Sequence, residues 1–139
     1  MKLSTRSRYG LRFLIDLATH AGEGPVFLKD IARRQDLSEK YLWNVVLSLK
    51  SAGMVNSVRG PRGGYYLVGS PADITMNDIV SILEGPISLV DCVENRSSCN
   101  KADTCAARDV WVEAAGKIKN VLEGITLGTI VERMASKQS

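Results

Sequence analysis

Cys92, Cys99 and Cys105 are the residues of this chain best suited to chemistry, and they are its only cysteines. Six residues separate the first two and five separate the second and third. Thiolates at that spacing in one flexible loop can converge on a single soft metal centre without strain. Three ligands fall one short of a tetrahedral set, and the tight Cys-x-x-Cys knuckle of most zinc sites is absent, so zinc is not favoured. The odd count excludes a complete set of internal disulfides, whereas a thiol switch needs only two of the three. Other reactive groups are sparse. His20, the single histidine, falls on a mostly apolar stretch where a structural role is expected rather than that of a catalytic base. No carboxylate pair stands out, so no enzymatic activity is expected.

The cysteines occupy a stretch that must be held from outside. From Ile87 to Thr104 helical periodicity fails and the residues are polar and short of core material, so something other than a core has to order the segment. Helices are expected on both sides. Thr75 or Asn77 caps one that runs to about Glu84, with Ile79, Val80, Ile82 and Leu83 inward and Gly85-Pro86 as its stop. Ala106 to Glu123 forms the other, in which Trp111, Ala114, Ile118, Val121 and Ile125 step by three, four, three and four. That is an a/d seam over about two heptads, and it favours pairing with a second copy over packing on a small domain. Thr126 caps a last short helix, Leu127 to Met134, beyond which the end of the chain is expected to fray.

The N-terminal half carries a different pattern. Ser4 or Thr5 caps a helix to about His20 that is apolar over most of its circumference, with Lys2, Arg6, Arg8 and Arg12 at its start as phosphate contacts or solvated charges. Leu28, Ile31 and Ala32 give the next helix an apolar stripe, and Leu37-Ser38 supplies a turn residue and an N-cap. In the helix that follows, Leu42, Val45, Val46 and Leu49 fall at i, i+3, i+4 and i+7, leaving Lys40, Trp43, Asn44, Leu47 and Lys50 outward. Gly53 stops it, and Met54–Val58 changes to a period of two. Arg59-Gly60-Pro61-Arg62-Gly63-Gly64 is a turn, and Tyr65–Val68 returns as the partner strand. Two helices, a tight turn and an arginine-tipped hairpin make a winged helix-turn-helix, with the helix pair at about 28–52 and the wing at about 55–68.

Charge divides along the same line. Residues 1–69 hold eleven Lys and Arg against five Asp and Glu, whereas residues 70–139 hold seven against ten. A basic half beside an acidic half assigns polyanion binding to the first and another task to the second. No stretch is long and apolar enough for a membrane span or signal peptide, so a cytoplasmic protein without a membrane partner is expected.

Several segments together resemble one family. They are Met1-Lys2-Leu3-Ser4-Thr5-Arg6-Ser7-Arg8-Tyr9-Gly10, Leu37-Ser38-Glu39-Lys40-Tyr41-Leu42, Val58-Arg59-Gly60-Pro61-Arg62-Gly63-Gly64-Tyr65, Leu83-Glu84-Gly85-Pro86-Ile87, the three-cysteine loop and Ile125-Thr126-Leu127-Gly128. They look like the Rrf2 family of winged-helix regulators, the group of IscR, NsrR and CymR, over nearly the whole chain. The resemblance implies a homodimeric bacterial transcription factor whose cysteine loop, in many members, holds an iron-sulfur cluster. Members similar to CymR lack the loop cysteines, and on this point the chain sides with the cluster binders. Two positions depart from the pattern. Members similar to IscR complete the ligand set with a His three residues after the last Cys, where this chain has Arg108. Those similar to NsrR use an acidic residue in the first helix of the other subunit, where this chain has Arg8. Asp109, Glu113, Glu94, a residue of the other subunit or a small exogenous ligand are the remaining candidates. A Glu that helps set operator choice in members similar to IscR is replaced by Trp43, whose two open roles are packing on the effector loop and contact with thymine methyls.

The expected fold is therefore mainly α with a small β-hairpin: a winged helix-turn-helix domain (1–85), a cysteine-bearing effector loop (86–105), and a long dimerisation helix with a short C-terminal helix (106–139). The expected function is a homodimeric, sequence-specific regulator that senses iron-sulfur, iron or redox status. Ser38, Lys40, Tyr41, Trp43, Asn44, Arg59 and Arg62 meet double-stranded operator DNA, Cys92, Cys99 and Cys105 hold the cluster, and Trp111, Ala114, Ile118, Val121 and Ile125 form the dimer seam. By resemblance to IscR the cluster is [2Fe-2S] in preference to [4Fe-4S]. The rival readings are a clusterless thiol-switch regulator of the same family and a small iron-sulfur carrier or electron-transfer protein.

Overall fold

In a computed structural model describing residues 2–138, seven helices and one hairpin follow each other as α1 (Thr5–Thr19), α2 (Leu28–Gln35), α3 (Glu39–Ser51), β1 (Val55–Val58), β2 (Gly64–Leu67), α4 (Met76–Glu84), α5 (Asp91–Glu94), α6 (Ala106–Glu123) and α7 (Leu127–Gln138). Short 3₁₀ turns at Ala21–Glu23, Pro71–Asp73 and Arg96–Ser98 lie between them. No helix among the described residues is long and apolar enough to cross a membrane. The mainly helical winged fold expected from periodicity is the observed one.

α1 is the central helix because it is apolar around most of its girth, and Phe13, Leu14 and Leu17 are fully buried. It packs against α2, α3, α4, α7 and β2. Ile31 of α2, Leu42, Val45, Val46 and Leu49 of α3, Ile79 and Leu83 of α4, and Leu127 of α7 complete one continuous core. Gly10 allows a close crossing of α1 and α4, since a Cβ there would collide with the Leu83 side chain. The caps follow the expected chemistry. The Ser4 and Ser38 hydroxyls accept from the Arg6 and Tyr41 N–H groups, and Thr75 with Asp78 forms a reciprocal capping box on α4.

The hairpin is antiparallel, with Val55 opposite Leu67 and Val58 opposite Gly64. The helix α2 approach holds it as well, because Val26 and Tyr65 exchange backbone hydrogen bonds of 2.9 and 2.8 Å. Gly64 makes this possible. Its φ is +136°, and a Cβ would lie 2.5 Å from the Val26 backbone.

Three features depart from the sequence expectation. α7 continues to Gln138 instead of ending near Met134, because its inner side packs on α1; Ser139 lies outside the described residues. The segment before α7 also belongs to the winged body: Leu127 N–H donates to Ile74 O at 2.7 Å and Met76 N–H to Ile125 O at 2.8 Å. Finally, the segment between α4 and α6 is not free of helix, since α5 and a 3₁₀ turn interrupt it.

Candidate nucleic-acid interface and cysteine loop

α3 presents its charged and aromatic residues outward because its inner face is filled. Leu42, Val45, Val46 and Leu49 are buried, whereas Lys40, Trp43, Asn44 and Leu47 are exposed. The turn before α3 is tight. Asp36 takes the left-handed conformation at φ 54°, and Leu37 N–H closes on Ala32 O at 2.9 Å. No periodicity or capping signal marks Asp36, although Asp is one of the few side chains tolerated there.

Several polar contacts fix the pose of α3. Arg6 donates from Nη2 to Ser48 Oγ at 2.6 Å and from Nε to Leu83 O at 3.3 Å, which ties α1, α3 and α4 together. Lys50 Nζ donates to Ser57 Oγ at 2.7 Å, linking α3 to the wing. Tyr41 pairs its hydroxyl with Thr5 Oγ1 at 2.9 Å and meets Tyr9 edge-on. Of the cations in and just before α1, Arg6 is thus turned inward and Arg12 bonds to Gln35 O, while Lys2 and Arg8 remain exposed. Arg59 and Arg62 sit exposed at the hairpin tip, and neither is in an ion pair with a carboxylate among the described residues.

His20 belongs to a structural network. Asp16 is nearly fully buried, and Arg34 grips both of its carboxylate oxygens at 3.0 and 2.6 Å while Gln35 adds a third bond at 3.1 Å. His20 Nδ1 lies 3.4 Å from the same carboxylate. Burial pushes the Asp16 carboxyl up, but the hydrogen bonds of Arg34 and Gln35 and the charges of Arg34 and His20 hold it below its ordinary value.

The cysteines fall on three local elements. Cys92 is half-buried in α5, Cys99 is exposed after the 3₁₀ turn, and Cys105 is half-buried as the N-cap residue of α6, where its side chain makes no capping bond. All three are free thiols. Among the described residues no group of three or more His, Cys, Asp or Glu side chains is assembled to hold a metal ion. Between residues 86 and 105 only Ala102 is buried. Local polar bonds shape the segment: Asn95 Oδ1 accepts from Ser97 Oγ at 2.6 Å, Arg96 pairs with Asp103, and Arg108 Nε donates to Cys92 O at 3.0 Å. Asp109, Glu113 and Glu94 are all exposed. The donor types suit a soft metal centre, and a segment with so little core can draw its thiols together at small cost in packing.

α6 leaves apolar surface unpaired. Ala115 is buried, and α6 packs on α4, yet Trp111 is 42% and Val121 61% exposed, with Val110 and Val112 beside them. Ala114 and Ile118 are half-buried. Ile125 lies off the helix, beyond its Gly124 cap, and lines an apolar hollow of about 510 Å³ with Leu11, Met76, Leu122, Ile130 and Met134.

A capped helix with a polar outer face beside an arginine-tipped hairpin is the arrangement of a winged helix-turn-helix protein. The chain matches the model of Rrf2, described as an iron-dependent transcriptional regulator, over residues 3–133. It is 45% identical over 127 residues to the HTH-type transcriptional regulator CymR of Bacillus subtilis (strain 168), covering 91% of this chain and 87% of CymR. The structure of CymR (YrzC), the global cysteine regulator of B. subtilis, matches with a TM-score of 0.80 at 42% identity, covering 96% of this chain and 98% of that one. That of T. potens IscR matches with a TM-score of 0.82 at 39% identity, covering 100% of this chain and 92% of that one. The chain belongs to the Rrf2 family of transcriptional regulators, winged-helix proteins that bind DNA operators as dimers.

Proposed function

We propose that this protein is a cytoplasmic, homodimeric, sequence-specific regulator in which residues 1–85 engage DNA, the 86–105 segment senses, and residues 106–139 pair the subunits. The outward face of α3 carries this reading. Lys40, Trp43 and Asn44 project from a helix whose opposite side is sealed in the core, which suits insertion into a major groove. Arg59 and Arg62 then reach phosphates or the adjacent minor groove from the wing. Ser38 and Tyr41 act at the N-terminal end of α3, where the first positions the helix through its cap and the second through Thr5.

For sensing, Cys92, Cys99 and Cys105 would hold an iron-sulfur cluster, which supplies electron transfer and an exchangeable coordination site when bound. Likeness to IscR favours [2Fe-2S] over [4Fe-4S]. The residues of the chain provide the rest: Arg108 holds Cys92 against the start of α6, and α6 carries the exposed apolar seam. A state change in the segment is thereby coupled to subunit spacing, and it alters DNA affinity to the extent that one arrangement binds better than the other. A second reading is a thiol switch without a cluster: the absence of a cluster is supported by 45% identity to CymR, and the switch by three free thiols on separate local elements.

The visible spectrum of anaerobically purified protein separates the two. A chromophore lost together in Cys92→Ala, Cys99→Ala and Cys105→Ala is expected for the cluster reading. A colourless protein after anaerobic reconstitution, with DNA affinity set by thiol oxidation, establishes the switch. Retention of duplex DNA at moderate salt excludes a mere iron-sulfur carrier.

A further inference from the structure

Three large apolar side chains stand in solvent on the face that carries the cations. Trp43 is 49% exposed, Leu47 is 42% exposed one turn further along α3, and Phe27 is 44% exposed at the N-terminus of α2. Positions 43 and 47 share one side of the helix by their i, i+4 spacing. Trp43 also lines, with Phe27, Leu28 and Tyr65, a cleft of about 630 Å³ between α2 and the wing, whose charged lining is Lys29, Asp30, Arg33 and Glu39. No residue of the cysteine segment lines this cleft, and Trp43 and Leu47 are left exposed.

The occupant must therefore be a partner with both negative charge and a small apolar feature. Lys29, Arg33 and Lys40 stand beside Trp43 with Asp30 and Glu39 among them, and exposed Lys50 on α3 with Arg59 and Arg62 on the wing leaves cations in excess on these elements. A DNA duplex satisfies that field, and the one apolar group on its major-groove edge is the thymine C5-methyl. An indole and an isobutyl group cannot form bidentate hydrogen bonds to bases, but together they can enclose a methyl group. We propose that Trp43, with Leu47 one turn away, reads thymine through its 5-methyl group, making apolar contact the main specificity determinant of this recognition helix. This rests on the DNA-binding reading above. Phe27 lines the same cleft as the indole.

Uracil substitution removes the methyl and leaves the base pair's hydrogen bonds intact, so the unmodified protein supplies the test. Duplexes enriched by the wild type from a randomised library are resynthesised with uracil for each thymine in turn. Loss of one methyl contact is expected to weaken binding ~4-fold, from ~0.8 kcal/mol per buried methyl-sized group, and loss of the symmetric pair in a dimer site ~15-fold. Trp43→Ala should bind the enriched duplex more weakly and show no response to uracil at that pair, with circular dichroism confirming its fold. If no thymine responds to uracil although a duplex is enriched, methyl reading is overturned and DNA binding stands. If Trp43→Ala keeps the full uracil response, another residue reads the methyl and the proposal is also overturned. If the wild type enriches no duplex, the DNA-binding reading itself fails, and this proposal with it.

Discussion

Arg108 Nε donates a 3.0 Å hydrogen bond to the carbonyl oxygen of Cys92, binding the one-turn helix α5 to the first turn of α6. Between residues 86 and 105 only Ala102 is buried, so this bond, with the packing of α5 on α6, helps set where Cys92 lies. Arg108→Ala should accelerate amide hydrogen exchange through residues 91–95 while global stability changes by no more than ~1 kcal/mol, because the affected structure is local. Hydrogen exchange by mass spectrometry checks it, and unchanged protection at α5 would count against the tether.

The wing gives a prediction of another kind. Arg59 and Arg62 are exposed at the tip of a hairpin locked in place by the Gly64 approach to Val26. Each Arg→Ala change should weaken binding to all duplexes and reduce the slope of log affinity against log salt by ~1 if it neutralises one phosphate. Titrations at several salt concentrations measure this. Operator affinity left untouched by both changes would remove the wing from the interface.

The inner stripe of α3, the arginine turn and the bounds of α6 were legible in the sequence because helix period, capping and turn residues are local signals. Long-range partners were not. Arg6 looks like a surface cation at the start of α1, yet Ser48 and Leu83, more than forty positions away, turn it inward. Asp16 and His20 lie one turn apart on α1, but only the arrival of α2 reveals that Arg34 completes their network. Leu127 reads as one stripe residue of a short terminal helix, and its place in the core follows from a backbone bond to Ile74. At the candidate site, Lys40, Trp43 and Asn44 could be placed from periodicity alone. The role of Tyr41 as a bridge to Thr5, and the cleft that Trp43 shares with Phe27, required the packing of α1 and α2 against α3.

Asp16 and Arg34 predict an asymmetric pair of stability losses. The carboxylate is 2% exposed and the guanidinium 33%. Arg34→Ala leaves the buried carboxylate with only Gln35 and His20 beside it and should cost ~3 kcal/mol, whereas Asp16→Asn leaves an arginine able to turn to water and should cost ~1–2 kcal/mol. The pH dependence has a definite sign. Because the folded-state carboxyl is held below its ordinary 3.8, its contribution is complete above that value and is lost as pH falls from there through the folded value. Urea denaturation of wild type and Asp16→Asn over the acid range should therefore show the two curves converging as pH drops. A constant gap between them would show that Asp16 contributes no linkage.

The apolar seam on α6 gives a test of assembly. Trp111 and Val121 lie on the side bearing Ala114 and Ile118, and the hollow containing Ile125 continues unfilled apolar surface beyond the helix end. If two copies bury this surface against each other, Trp111→Asp or Val121→Asp places a charge in a desolvated contact with no partner, at a cost of several kcal/mol. Each variant should sediment as a folded monomer at micromolar concentration and lose cooperative binding to two-fold-related half-sites. Asn120 is exposed on another side of the same helix, so Asn120→Asp should leave assembly within ~0.5 kcal/mol of wild type. Dimers that persist in both seam variants would place the subunit contact elsewhere. It would then no longer follow that the cysteine segment, joined to α6 through Arg108, governs the spacing of the two recognition helices.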